Sequence, residues 1–475
     1  MLRGLETVIP LTLLFTLSFG TFSHSQTQQE VIPIDLPTAL EMAKANYPSL
    51  KKRLAEREAA GEEIEATIAS YYPRVGVQAQ TLLATSNQVR GGNLGYEGML
   101  VGLSGSVKTT GFDWQPAWTS LATTMVDWPA FTFGRRAADK NLAASRQELA
   151  DQLYEQELFE HQIKVADAYL LALNALKVSE LQERNLRRTE DIVAVTRANA
   201  SSGLKAGIDS SIAIAESTRA LLQWMNSQAQ AKKYHVLLSE LIGDTQKIID
   251  ADTMNFFSKI PSNFTFQSSE PDKHPRVLSM RARQLIGQEE LKKTRLGAMP
   301  EVRIMGSFWG RGSGIGQKPA PDGSFDISSS LSGLNLRAFN YAAGATLLWY
   351  PTRGFQVRRQ VSALQYRNSA LTEEYNNTLL RTTAELKNAD IQFNLAYQAV
   401  QNTPLLLEAA KQAYTQSMAR YESGLENIML LTQVRDIYIK AETEYLVSVN
   451  NVWRSLLIKA AAKGDFSVFL EQIPN

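Results

Sequence analysis

The chain has 475 residues, with 49 Lys and Arg against 48 Asp and Glu and no cysteine. A net charge of +1 supplies no bulk basic field for nucleic acid, and the missing cysteines exclude disulfides, thiolate metal sites, a cysteine nucleophile and a lipidated N-terminal cysteine. The length alone suggests two or three ordinary globular domains, an expectation that the elements, taken in order, do not support.

Arg3 precedes an apolar run at 8–19, and small residues follow at 20–25. This reads as a secretory signal over residues 1–25, cut after Ser23 or Ser25. The run is too short to cross a hydrocarbon core of about 30 Å. No later run reaches transmembrane-helix length, so any membrane insertion has to use strands.

Asp35 and Pro37 open a helix as cap and first-turn residue. It extends to about Tyr71, with a break or kink at Pro48, and Pro73 ends it. Val75, Val77, Ala79, Thr81 and Leu83 then alternate with Arg74, Gly76, Gln78 and Gln80, the period of a strand with one apolar and one polar face. Residues 87–118, rich in Gly, Ser and Thr, read as a long exposed loop. Residues 119–136 convert a second strand into a helix across a break at Trp128-Pro129 and Gly134. That helix continues to about Ser202, residues 201–207 form a turn, and a second long helix runs from about Asp209 to Ile242, where Gly243 stops it.

The pattern then repeats. Pro48 and Pro275 stand 227 positions apart (275 − 48), as do Pro73 and Pro300 (300 − 73). In the later part of each half the offset is 221, relating Trp128 to Trp349, Gly203-Leu204 to Gly424-Leu425, and Gly243 to Gly464. Matches in order at two fixed offsets indicate a duplication. Each half is helix, strand, loop, strand, long helix, turn, long helix. In the second half the loop falls at 308–338, and a kink or break is expected at Asn402-Thr403-Pro404.

A helix of about 70 residues reaches roughly 100 Å, far more than a compact core needs. The strands, about 10 to 12 residues each, suit a tilted bilayer crossing. Four strands cannot close a membrane barrel, for which about eight is the small end, and an open sheet in lipid leaves unpaired backbone edges. Several copies must therefore share one barrel; three copies of four strands give about twelve. Trp128 and Trp349 sit at matching strand ends with Phe131, Phe133 and Tyr350 near them, while Phe308, Trp309, Phe339 and Tyr341 lie toward the loops, as expected of an aromatic girdle.

With these features the chain resembles the TolC family of outer membrane efflux proteins over nearly its whole mature length. The likeness is carried by Leu36-Pro37-x-Ala39-Leu40-x-x-Ala43, Tyr47-Pro48, Pro73-Arg74-Val75, Phe133-Gly134-Arg135-Arg136, Ser202-Gly203-Leu204 and Tyr421-x-Ser423-Gly424-Leu425. The resemblance implies a mainly α chain with membrane β structure: a homotrimer with a twelve-stranded outer-membrane β-barrel, four strands per chain, continued by a long periplasmic α-helical barrel. It divides the chain into a signal (1–25), an N-terminal periplasmic helix (26–72), strands 1 and 2 with an extracellular loop (73–133), tunnel helices (134–270), the first helix of repeat 2 (271–299), strands 3 and 4 with a loop (300–352), and the second tunnel helices (353–475). The implied function is that of an exit duct for a tripartite efflux pump or type I secretion system, working with a periplasmic adaptor and an inner membrane transporter of RND, ABC or MFS type. The resemblance places the adaptor contact at Ser202, Gly203, Leu204, Ser423, Gly424 and Leu425. It places the periplasmic entrance at Asp209 and, in the second half, at Met429, Leu430 and Gln433, where acidic side chains are replaced and apolar closure is expected instead.

Little else in the sequence suggests chemistry. The four histidines lack ligand spacing, and there is no HExxH, P-loop or G-x-S-x-G motif, so neither cofactor nor metal is expected. Residues 310–314 (Gly-Arg-Gly-Ser-Gly) lack the rest of a phosphate loop and read as flexible loop; Glu62-Glu63-x-Glu65 reads as a solvated helix face. The reading from another class is a non-conducting, envelope-spanning structural protein.

Overall fold

A computed structural model describes residues 31–85, 114–201, 207–244, 248–251, 256–262, 271–319, 321, 325–327 and 331–473. The signal segment, most of the loop at 87–118, and the turn residues Ser202, Gly203 and Leu204 lie outside these.

The helices begin and end where local chemistry requires. Asp35 caps α1 (Leu36–Asn46) by accepting from the Thr38 N–H at 3.0 Å. Tyr47 is extended, as a residue before proline must be, and Pro48 opens α2 (Pro48–Ala69). β2 (Arg74–Ala84) and β3 (Ala117–Phe131) form an antiparallel hairpin that feeds α3 (Arg135–Ser201), a single helix of 67 residues. α4 (Gly207–Ile242) returns beside it and stops at Gly243, whose φ of +81° is the left-handed conformation glycine adopts most readily. In the second half, α5 (Pro275–Leu296) precedes β5 (Glu301–Ser313), and β8 (Ala338–Leu348) leads to α6 (Arg353–Glu422) and α7 (Ile428–Lys463). α7 ends at Gly464, φ +78°, and a short α8 (Ser467–Leu470) follows. α3 packs against α2, α4, α5 and α7, and α6 against α5 and α7.

The main core lies midway along the helices, around Trp453. Its indole donates to the Phe256 carbonyl at 2.8 Å and its ring meets Phe256 and Phe469 edge to face. Tyr169, buried beside them, donates to the Ile34 carbonyl at 3.1 Å. There β1 (Val31–Ile34) and β4 (Ile248–Ala251) pair in parallel. The sequence reading assigned both segments to helical regions. Four-residue strands carry too little alternation to be recognised.

Three further expectations are corrected. Pro129 does not end its strand: β3 continues to Phe131 with a register shift between Trp128 and Phe131, the kind of bulge in which a proline lacking its N–H is tolerated. Pro404 does not break α6. Its missing N–H leaves the Val400 carbonyl without its helical donor, and the Thr403 hydroxyl supplies one at 3.3 Å while meeting Ser448 of α7 at 2.9 Å. The supposed loop at 308–338 is largely ordered, since β5 runs on to Ser313 and a small hairpin of β6 (Ile315–Pro319) and β7 (Phe325–Ile327) follows. Gly310 belongs to that strand rather than to a flexible loop; the Phe339 ring passes 2.8 Å from where its Cβ would stand.

Candidate functional site: a two-faced sheet and a helical tip

The four long strands form one antiparallel sheet in the order β2-β3-β5-β8. Its registers put Val75, Val77, Ala79, Thr81 and Leu83 beside Ala122, Thr124, Val126 and Trp128, then Val302, Ile304 and Phe308, then Phe339, Tyr341, Ala345 and Leu347. No charged residue stands on that face. Arg74, Asp127, Glu301, Arg303 and Arg311 all occupy the other, together with Gln78 and Gln80. Val77 is 82 % exposed and Tyr341 83 %, so at these levels no described residue covers the apolar face, whereas at the loop end the segment 333–334 lies against it at Ser120. A charge on a lipid-facing strand costs about 2–4 kcal/mol at mid-bilayer, which accounts for this segregation if one face meets lipid and the other water. Trp309 falls on the charged face by alternation, which removes it from the aromatic band expected of it; Phe308 remains, stacked on Phe339 at 6.1 Å.

Where the sheet meets the helices, the two halves repeat one hydrogen bond. Trp128 Nε1 donates to the Tyr71 carbonyl at 3.1 Å, and Trp349 Nε1 to the Ala298 carbonyl at 3.2 Å; the acceptors are 227 positions apart (298 − 71). Phe131, Phe133, Trp349 and Tyr350 are exposed around this level. On the polar face Asp127 accepts from Arg74 at 2.6 Å and from Arg303, whose Nε lies at 3.0 Å. Arg303 also faces Glu301 at 3.5 Å, and Arg135, opening α3, reaches Glu301 at 3.1 Å. A chain of alternating charge thus joins the hairpins of both halves to the first turn of the long helix.

At the far end, the turn from α6 to α7 closes on Gly424, φ +75°, with Leu425 N–H donating to the Arg420 carbonyl at 2.9 Å. Asn427 then caps α7 through the Leu430 N–H at 2.9 Å. Ser423, Gly424 and Leu425 are exposed at this tip. Asp209 is half-buried in the first turn of α4. Burial, and secondarily the charge of Asp209, raises the pKa of the Tyr421 phenol at the end of α6, so Asp209 faces the second half's helix end. Met429, Leu430, Gln433 and Ile437 form an exposed stripe on α7, while Ile428, Leu431, Arg435 and Tyr438 are buried between them.

The sequence reading missed the ion pairs that clasp the halves together. Arg435, only 3 % exposed, meets Glu216 of α4 at 2.7 Å. Arg188 of α3 forks onto Glu442 at 2.8 and 3.2 Å and lies 4.9 Å from the Tyr438 ring. Burial, the largest single influence, opposes the Arg188 charge, but the Glu442 hydrogen bond and charge, with the Tyr438 and Tyr414 phenols, together outweigh it and hold the guanidinium pKa above its ordinary value. Arg454 and Asp167 pair at 2.6 Å. Partners more than two hundred positions apart leave no local pattern to read. Among the described residues, no group of three or more His, Asp or Glu side chains could hold a metal ion, and no helix is long and apolar enough to cross a membrane.

Residues 39–244 match the outer membrane efflux protein family. No curated protein matches the chain. Among solved structures, the outer membrane protein VceC from Vibrio cholerae superposes with a TM-score of 0.69 at 15% identity, covering 90% of this chain and 96% of that one. The CmeC outer membrane channel of Campylobacter jejuni gives 0.70 at 13% identity over 90% and 85% of the two chains. The open MtrE outer membrane channel of Neisseria gonorrhoeae gives 0.69 at 14% over 90% and 89%. Residues 39–244 are thus similar to the outer membrane efflux protein family, and the chain shares the fold of outer-membrane channels along both halves.

Proposed function

We propose that three copies of this chain form an outer-membrane exit duct for a tripartite efflux pump or type I secretion system. The two-faced sheet carries this reading. Among the described residues its β2 and β8 edges are unpaired, its apolar face is exposed over most of its length, and its charges lie on the opposite side. Joining β8 of one copy to β2 of the next satisfies both edges, gives the apolar face to lipid and turns the charged face to a water-filled lumen. The duct is passive, conducting what a periplasmic adaptor and an inner membrane transporter deliver.

The adaptor contact is assigned to the helical tips, at Ser202, Gly203, Leu204, Ser423, Gly424 and Leu425. The entrance is assigned to Asp209, Met429, Leu430 and Gln433. Exposure of Met429 (69 %) and Leu430 (46 %) in the single chain supports closure by apolar contact between copies. Planar-bilayer recording of the purified protein tests the duct. Discrete openings are expected, with larger conductance for Leu430→Ala and Asp209→Ala. A wild-type protein that never conducts would favour a structural envelope protein, and unchanged conductance in both variants would remove the entrance assignment alone.

A further inference from the structure

At the foot of the sheet a cavity of about 420 Å³ opens between α2, the end of β3 and the first turns of α3. One wall is aromatic: Phe131 and Phe133 meet edge to face at 4.7 Å and remain 56 % and 40 % exposed. The wall on the helical side carries two exposed cations one turn apart, Arg136 and Lys140. Arg136 lies over the Tyr71 ring at 5.8 Å, and among the described residues neither cation is paired with a carboxylate.

The fold does not demand this arrangement. At the 221-residue offset the second half has Thr352 and Gly354 in place of Phe131 and Phe133, and Val357 and Val361 in place of Arg136 and Lys140. Val357 is buried, so that position serves packing there. Nor does the backbone favour Phe133. Its φ of +49° is left-handed, a conformation costly for a bulky residue, and it is the one such non-glycine residue among those described.

Read from the strand toward the helix, the order is apolar (Val126, Trp128), aromatic (Phe131, Phe133), then cationic (Arg136, Lys140). A glycerophospholipid entering from the bilayer presents acyl chain, glycerol and phosphate in that same order. We propose that the cavity binds the headgroup of a glycerophospholipid from the periplasm-facing leaflet, one per chain. Arg136 offers its planar fork to two phosphate oxygens, Lys140 adds a point charge, and the phenylalanines cover the glycerol and first methylenes. The assignment rests on the outer-membrane duct reading, which sets which leaflet lies at this level.

The test is native mass spectrometry of the purified full-length protein titrated with phosphatidylglycerol, with conductance recorded on the same preparations. Wild type is expected to retain one lipid per chain. Arg136→Gln/Lys140→Gln should weaken retention about tenfold or more, and Phe133→Gly, which keeps both cations, should weaken it less. Equal retention by wild type and the double variant overturns the site. Displacement of the lipid by millimolar inorganic phosphate also overturns it, in favour of a free-anion site. A conducting wild type that binds no lipid refutes this proposal alone, whereas a wild type that neither assembles nor conducts refutes the duct reading beneath it.

Discussion

The two halves of the chain share a frame and differ in what they build on it. Each hairpin ends on a tryptophan that hydrogen-bonds a carbonyl ahead of its own first strand, Trp128 to Tyr71 and Trp349 to Ala298. Each second long helix ends on a left-handed glycine, Gly243 or Gly464, pressed against the backbone just ahead of a 22-residue helix, at Asn46 before α2 and at His274 before α5. Elsewhere the halves diverge: Asp127 corresponds to Leu348, Tyr47 to His274, Asp209 to Leu430 and Arg136 to Val357. What is duplicated is what backbone geometry requires. What has diverged lies where one half meets the other, at the proposed membrane face or at the proposed duct entrance.

The glycines separate geometric need from mere exposure. A Cβ on Gly464 would stand 2.9 Å from His274 Cα, and one on Gly243 would stand 3.0 Å from the Asn46 carbonyl carbon, whereas Gly424 faces open space. Gly464→Ala and Gly243→Ala should each cost about 2–4 kcal/mol, combining overpacking with the left-handed strain, and Gly424→Ala only about 1–2 kcal/mol. Thermal melting in detergent checks the ranking; equal shifts for all three would break it. Asp127 probes the divergent class. Asp127→Ala leaves Arg74 and Arg303 without their shared carboxylate and should cost about 1–2 kcal/mol. It also adds positive charge to the proposed lumen, so the reversal potential under a salt gradient should move toward anion selectivity.

The matching tryptophans sharpen the comparison from the other side. Trp128→Phe and Trp349→Phe each remove one indole hydrogen bond and should each cost about 0.5–1.5 kcal/mol, nearly equally. A large inequality would mean that the two hairpin ends are not equivalent. The smallest effect concerns His274, whose Nδ1 accepts from the Arg276 N–H while its Nε2 donates to the Ala461 carbonyl at 3.1 Å. The Nδ1 contact requires the neutral ring, because a protonated Nδ1 cannot accept, whereas the Nε2 contact is open to both forms. Burial lowers its pKa below the ordinary 6.5, assisted by Arg276 and opposed by the Ala461 hydrogen bond and by Glu385 and Glu160. The unfolded chain therefore takes up the proton first as pH falls, so the histidine's contribution is complete above pH 6.5 and is lost as pH drops below it. His161, buried against Tyr47 and the Leu241 carbonyl, shifts in the same direction. His274→Asn retains a capping acceptor that does not titrate, and its melting temperature should fall less between pH 7 and pH 5 than that of wild type.

Much of the frame was legible because its signals are local. Asp35 and Pro37 mark a helix start, Pro48 a break, and the alternation from Arg74 to Leu83 a strand with one apolar and one polar face. The two fixed offsets then carried that reading into the second half. Pro129 and Pro404 misled because their compensation is not local: a bulge opposite β5 in one case, and in the other a threonine hydroxyl braced by Ser448 from the neighbouring helix. Gly310 looked like loop because the ring that needs its space, Phe339, is 29 positions further on. The pairs Arg435–Glu216 and Arg188–Glu442 were invisible for the same reason.

The central claim is that β8 of one copy joins β2 of the next, and the duplication specifies how. Within the chain Val126 pairs with Gly306. The offsets carry that pair to Leu347 (126 + 221) on one copy and Ala79 (306 − 227) on its neighbour. The protein has no native cysteine to interfere. Leu347→Cys/Ala79→Cys, oxidised in detergent, should run as a covalently closed trimer on a denaturing gel, with neither single variant doing so. A double variant that remains monomeric under oxidation, while the protein is folded and assembled, would contradict the shared barrel.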